Sequence, residues 1–207
     1  MKDCIIFGAG EYDARQPVKT PETLVIAADA GYRHCVARGI VPDCVIGDFD
    51  SLRKVPDLSN VIRLPVEKDV TDTDAAVSLA LEQGCKVIHL YGGMGGRPDH
   101  TLANYALVAR LSQQGVAAYL YGNGYVVTAV TDGALTLTGG GGETVSVFSW
   151  TDRSEGVTLQ GLKYPLEDAV LTNTFALGVS NSFTEETAIV SVKHGTLLVM
   201  RQISNSP

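Results

Sequence analysis

Nowhere does this chain carry an apolar run approaching the ~18 residues that a membrane-spanning helix needs. Its start, Met1-Lys2-Asp3, passes straight into a short apolar stretch and lacks the profile of a signal peptide. Positive charge is scarce: 16 Lys and Arg against 23 Asp and Glu leave a formal net charge of -7. Nucleic acid or an anionic membrane is therefore a poor choice of main partner. Phosphate binding stays possible, because a local arginine, lysine or glycine site, or a bridging divalent cation, supplies the missing charge. The 4 cysteines (Cys4, Cys35, Cys44 and Cys85) form no CxxC motif and have no neighbouring histidine at ligand spacing. A zinc site and a disulfide framework both need such patterns, so these read as reduced, buried thiols. Repeats, low-complexity tracts and a disordered linker are also missing. The expectation is a soluble cytoplasmic protein that binds neither nucleic acid nor membrane.

What is present begins with length: 207 residues make one large domain or two small ones. The first part alternates short apolar runs with helical patterns. Cys4–Phe7, Leu24–Ala28, Cys44–Ile46, Val61–Leu64, Val87–Tyr91 and Val116–Tyr121 read as strands. Helices are expected over Gly31–Arg38, Thr71–Gln83 and Pro98–Gln114, each closed by a glycine. The last of these carries Leu102, Tyr105, Ala106 and Ala109 at helical spacing, which predicts its buried face. Such alternation implies a mostly parallel, Rossmann-like α/β sheet with helices on both faces. After Tyr121-Gly122-Asn123-Gly124 no long helical pattern returns. Six β-prone runs follow instead: Val126–Val130, Leu135–Thr138, Val145–Trp150, Val157–Leu162, Ala188–Val192 and Leu197–Met200. An α/β domain over 1–124 and an all-β sandwich over 125–207 are the predicted organisation.

Four stretches carry chemistry. Gly92-Gly93-Met94-Gly95-Gly96-Arg97-Pro98 joins a strand to a helix start, where glycines admit an anion to backbone N–H groups and the helix dipole favours it. Arg97 adds a planar fork of donors, and Pro98 suits a first helical position. A plain strand-to-helix connection can also be glycine-rich. Gly47-Asp48-Phe49-Asp50-Ser51 follows a parallel strand, and two carboxylates at i and i+2 of an extended segment share one side. There they suit Mg²⁺, which takes one or two carboxylates plus phosphate oxygens; a helix-capping turn would use the same residues. In Lys68-Asp69-Val70-Thr71-Asp72-Thr73-Asp74, Thr71 and Asp74 form a capping box, which leaves Lys68 for phosphate and Asp72 for a metal. Asp29 ends the second strand about twenty residues after Gly8-Ala9-Gly10, the position of a ribose-reading acid, although Pro17, Pro21 and Asp13 spoil a dinucleotide fingerprint. Asp99 and His100 sit in the first turn after the glycine loop, where an acid is a metal partner, a contact to an acceptor hydroxyl or a dipole-matched helix acid. His34, His89 and His194 show no partner, and Leu177–Phe183 is a polar interruption, either a plain turn or a recogniser of a small polar heterocycle.

In this order the motifs resemble the thiamine pyrophosphokinase (thiamine diphosphokinase) family. The match runs from Ala28-Asp29-Ala30-Gly31 through Gly47–Ser51, Lys68–Asp74 and Gly92–His100 with Leu102-Ala103-Asn104, to Gly178-Val179-Ser180-Asn181. The resemblance implies an α/β catalytic domain followed by a β-sandwich. It also implies Mg²⁺-dependent transfer of a pyrophosphoryl group from ATP to the hydroxyl of thiamine, giving thiamine diphosphate and AMP. A homodimer is implied, with thiamine held between the α/β domain of one subunit and the β-domain of the other. Carried over by position, Asp48, Asp50 and Asp72 hold the metal. Asp29, Lys68, Gly92, Gly93, Gly95, Gly96 and Arg97 border the nucleotide. Asp72, Arg97 and Asp99 serve catalysis, and Ser180 with Asn181 meets the aminopyrimidine of thiamine. Two other classes fit parts of the pattern. One is a glycosyltransferase-like enzyme using Asp-x-Asp on a nucleotide-sugar diphosphate, the other a nucleotide-sensing module without turnover.

Overall fold

The computed structural model describes residues 2–13, 17–49, 60–67 and 69–203. The chain forms two compact units, one of Met1–Asn104 with Ala118–Asn123, the other of Tyr105–Ala117 with Gly124–Pro207.

In the first unit, β1 (Lys2–Phe7), β2 (Leu24–Ala28), β3 (Cys44–Gly47), β4 (Val61–Arg63), β5 (Cys85–Tyr91) and β6 (Ala117–Gly122) lie in the order β6-β5-β1-β2-β3-β4. The pairs β1–β2, β1–β5, β2–β3 and β3–β4 are all parallel. Strand β1 buries both alternating sets of side chains, Cys4 and Ile6 as well as Ile5 and Phe7. Such a strand must be covered on both faces, so its sequence is a continuous apolar run rather than an alternation. Helix α1 (Gly31–Ala37) contributes Cys35 to the cluster of Ile5, Phe7, Val25, Ala27 and Val45. Helix α2 (Asp72–Glu82) packs against β1, β2, β3 and β5 through Ala76, Val77 and Ala80. Its start is set as the capping pattern predicts: the Thr71 hydroxyl accepts from the Asp74 N–H at 3.1 Å. All four cysteines are buried free thiols.

Helix α3 (Pro98–Gln113) corrects one expectation. Leu102 is 60% exposed, and Ala106 is exposed too, whereas Asn104, Leu107, Val108 and Leu111 are buried with Ala109. The face turned inward is thus rotated from the one that apolar spacing predicts. It admits a polar residue because the Asn104 side-chain amide donates to the Gly93 carbonyl at 2.7 Å, removing the cost of burying it.

The second unit contains two sheets. β7 (Tyr125–Thr131), β9 (Thr144–Ser149), β12 (Gly178–Ser182) and β14 (Thr196–Gln202) run in the order β12-β9-β14-β7. β8 (Ala134–Thr138), β10 (Arg153–Gln160), β11 (Leu166–Thr172) and β13 (Thr187–Ser191) form the other sheet, β11-β10-β13-β8, all antiparallel. Val145, Val147, Leu197 and Val199 from one sheet share a core with Leu137, Val157, Leu159, Leu171 and Val190 from the other, the packing of a β-sandwich. Strands β11 and β12 are additions to the expected set. The stretch Leu177–Phe183, expected as a polar interruption, supplies β12, which pairs with β9 across a bulge between Gly178 and Asn181.

Candidate active site

The carboxyl ends of β1, β2, β3 and β5 open onto one cavity of about 960 Å³. This is where an open parallel sheet places its ligands, because the connecting loops there are free to vary. Asp29, Asp48 and Asp72 line it together with Gly92, Gly93, Gly95, Gly96 and Arg97. Residues separated by more than forty positions in sequence thereby meet at one surface. Asp50 and Lys68 lie outside the described residues.

Each carboxylate is positioned differently. Asp29 follows β2 and takes a left-handed backbone (φ 45°), its N–H donating to Ile46 and its carbonyl accepting from Tyr32. That conformation is uncommon outside glycine but tolerated by Asp, and it turns the chain into α1. Asp48 follows β3. The residue after it, Phe49, also has positive φ (61°), and it is buried in the core beside Val45 and Tyr91. The backbone is therefore not extended at Phe49, and Asp50, the other member of the expected pair, lies outside the described residues. A turn anchored by Phe49 sets Asp48 instead. Asp72 stands in the first turn of α2, where the helix dipole favours its negative charge. Among the described residues, no three His, Cys, Asp or Glu side chains gather closely enough to hold a metal ion.

The glycine loop has its own architecture. Gly92, Gly95 and Gly96 all have positive φ (66°, 83° and 66°). At Gly92 a side chain is excluded twice over, since a Cβ there would run into the Tyr12 ring. The Gly92 carbonyl accepts from the Gly10 N–H at 2.8 Å, and the Met94 carbonyl from the Glu11 N–H at 3.2 Å. The loop after β5 thus leans on the loop after β1.

Arg97 and Asp99 form a forked ion pair, with Nη2 to Oδ2 at 2.6 Å and Nε to Oδ1 at 3.2 Å. The hydrogen bonds from Arg97 hold the Asp99 carboxyl below its ordinary range, and the same contact raises Arg97. Arg97 lines the cavity; Asp99 is not among its lining residues.

Several lining residues escaped sequence reasoning. His34, which showed no partner in sequence, stacks on Tyr12 with centroids 3.9 Å apart. Tyr12 and Glu11 line the wall as well, beside Thr73, His100 and Asn104 from the motif stretches. No local pattern signals Tyr12 or His34, because the loop after β1 and α1 meet only in the folded sheet.

In the second unit, Asn181 is 3% exposed and its side chain makes three hydrogen bonds. Its Nδ2 donates to the Tyr164 carbonyl at 2.7 Å, while its Oδ1 accepts from the N–H groups of Tyr164 and Ser182, each at 2.9 Å. Ser180 is exposed, has positive φ (57°), and donates its N–H to the Ser146 hydroxyl at 3.1 Å.

Comparison with known proteins agrees with this architecture. Residues 16–120 match the family model of the thiamin pyrophosphokinase catalytic domain, and residues 135–197 that of the thiamin pyrophosphokinase vitamin B1 binding domain. The thiamine pyrophosphokinase of Bacillus subtilis (strain 168) is 28% identical over 186 residues, covering 86% of this chain and 87% of that one. The crystal structure of the Bacillus subtilis thiamine pyrophosphokinase superposes with a TM-score of 0.87 at 25% identity, covering 99% of this chain and 100% of that chain. The crystal structure of the thiamin pyrophosphokinase of Geobacillus thermodenitrificans does so with 0.85 at 26% identity, covering 100% and 99%. With the α/β catalytic part and the β-sandwich part both matched, this chain belongs to the thiamin pyrophosphokinase family, whose known reaction passes a pyrophosphoryl group from ATP to thiamine.

Proposed function

We propose a division of labour among the cavity residues for the pyrophosphoryl transfer from ATP to thiamine that this chain carries out. The observation that carries it is the joint lining of one cavity by Asp48, Asp72, the Gly92–Gly96 loop and Arg97. An alcohol must attack the β-phosphorus in line while the bond from that phosphorus to the α-phosphate oxygen breaks and AMP leaves. Positioning and charge neutralisation carry such a step, with little covalent work for the protein.

In this scheme the glycine loop and Arg97 cradle the phosphates, with Lys68 beside them and Asp29 near the ribose. Hard oxygen donors are what Mg²⁺ prefers; Asp48 and Asp72 line the cavity and, with Asp50, would hold the ion. The ion would supply charge neutralisation for the phosphate groups beside these acids. The thiamine hydroxyl proton goes to Asp72. Asp99, bonded to Arg97 and outside the cavity lining, orients that arginine. In the β-sandwich, exposed Ser180 faces the aminopyrimidine of thiamine, and Asn181 fixes the Tyr164 backbone beside it.

The partition into an ATP-binding domain over 1–124 and a thiamine-binding domain over 125–207 belongs to this proposal. So does a homodimer with thiamine held between the α/β domain of one subunit and the β-domain of its partner. Four buried free thiols fit a reducing, cytoplasmic compartment, and no helix among the described residues is long and apolar enough to cross a membrane.

The test is steady-state turnover of Asp48→Asn and Asp72→Asn at saturating Mg²⁺. Each is expected to lose about a hundredfold in kcat, the scale of one electrostatic stabiliser, with the folded spectrum unchanged. Wild-type turnover in both would overturn the metal assignment.

A further inference from the structure

The cavity is lined by two chemically different sets of groups. Carboxylates, glycine backbone and Arg97 are polar and suited to phosphates and a cation, with His100 in the turn after Arg97. Tyr12 and His34 are lining rings, and the edge of the Tyr12 ring packs against Gly92 of the glycine loop. Tyr12 is rigidly held: its hydroxyl donates to the Gly8 carbonyl at 2.8 Å, with that of Tyr91 at 3.3 Å, and Arg38 lies 4.6 Å from its ring centroid. Phe7 stacks beside it, the two centroids 6.2 Å apart with planes 16° from parallel. One face of the His34 imidazole rests on this fixed phenol ring at 25°, and the residue borders the cavity. Arg38, one helical turn on, donates to the His34 carbonyl at 3.3 Å and fixes the backbone that carries the ring.

We infer that His34 is the nucleobase platform of the ATP site, presenting a pre-stacked aromatic surface on which the adenine ring lies. The inference rests on the ATP assignment of the cavity made above. A planar heterocycle gains stacking energy only against a flat ring held in place, and ordering such a ring beforehand removes the entropy cost of doing so on binding. Burial and the neighbouring Arg38 and Arg33 keep the imidazole below its ordinary pKa, so the platform is neutral near pH 7 and leaves the phosphate charge to Arg97 and the glycine backbone. His34 is a specificity-determining residue in this account. It discriminates nucleoside triphosphate from bare triphosphate and takes no part in the transfer.

The test is titration of the full chain, without thiamine, by Mg-ATP and separately by Mg-tripolyphosphate. His34→Ala is expected to weaken ATP about tenfold, the loss typical of one base-stacking ring, and to leave tripolyphosphate within about twofold. His34→Phe should restore ATP affinity, His34→Gln should resemble alanine, and KM for thiamine should not move. Equal weakening of both probes in the alanine and glutamine variants would overturn the platform, because the loss would then lie in phosphate binding. ATP binding unchanged in both variants would overturn it equally. A wild-type chain that binds neither probe would overturn the ATP assignment itself, a failure visible before any variant is made.

Discussion

The side-chain amide of Asn104, 6% exposed in the first half of α3, donates to the carbonyl of Gly93 at 2.7 Å. One hydrogen bond thus ties the glycine loop to the helix that follows it. Asn104→Ala leaves that carbonyl without its donor, which should cost about 1–3 kcal/mol of stability, read as a shift in denaturant midpoint. Loosening the loop should also raise KM for ATP more than KM for thiamine. Equal effects on the two substrates would show that Asn104 supports the fold alone.

Gly92 combines a left-handed backbone with a ring packed where a side chain would go. Gly92→Ala should therefore cost about 1–2 kcal/mol from the backbone, with displacement of Tyr12 added to it. Because Tyr12 stacks on His34, the variant should weaken ATP binding as well. A variant with wild-type stability and affinity would mean that the loop adopts another conformation.

Asn181 makes its three hydrogen bonds within the β-sandwich. Asn181→Ala should raise KM for thiamine while leaving ATP binding, measured by titration, within about twofold. That asymmetry separates the substrate roles of the two units. A rise in KM for ATP alone would reverse the assignment.

Burial lowers the pKa of His89 below its ordinary 6.5, with Asp3 opposing. The unfolded chain accepts a proton that the folded chain refuses. Stability from this group is therefore fully present above about pH 6.5 and is lost as pH falls from there through the lower folded value. Tm should decline on acidification through this window, and His89→Phe should flatten the decline. An unchanged slope in that variant would assign the acid sensitivity to other groups.

Much of the fold was legible because local pattern and tertiary context agree. Leu24–Ala28 is a continuous apolar run, and it is β2 to the residue. The Thr71 hydroxyl and the Asp74 N–H make the bond that their spacing implies. Where the two disagree, sequence misled. Leu102 looked like core but stands in solvent, while Asn104, polar yet satisfied, turned inward. Strand β12 was hidden because Ser180-Asn181-Ser182 is polar and Ser180 has positive φ, an unusual conformation inside a strand. In the cavity, the acidic motifs and the glycine loop announce themselves locally. The Tyr12–His34 stack does not, since it depends on a loop and a helix brought together only by the parallel order of β1 and β2.

The roles proposed for Asp48, Asp72 and the glycine loop require that attack fall on the β-phosphorus of ATP. Separation of the nucleotide products after incubation with ATP, Mg²⁺ and thiamine decides this. AMP and thiamine diphosphate are expected in equal amounts, both lost in Asp48→Asn. ADP with thiamine monophosphate, or AMP formation undiminished in that variant, would rule those roles out.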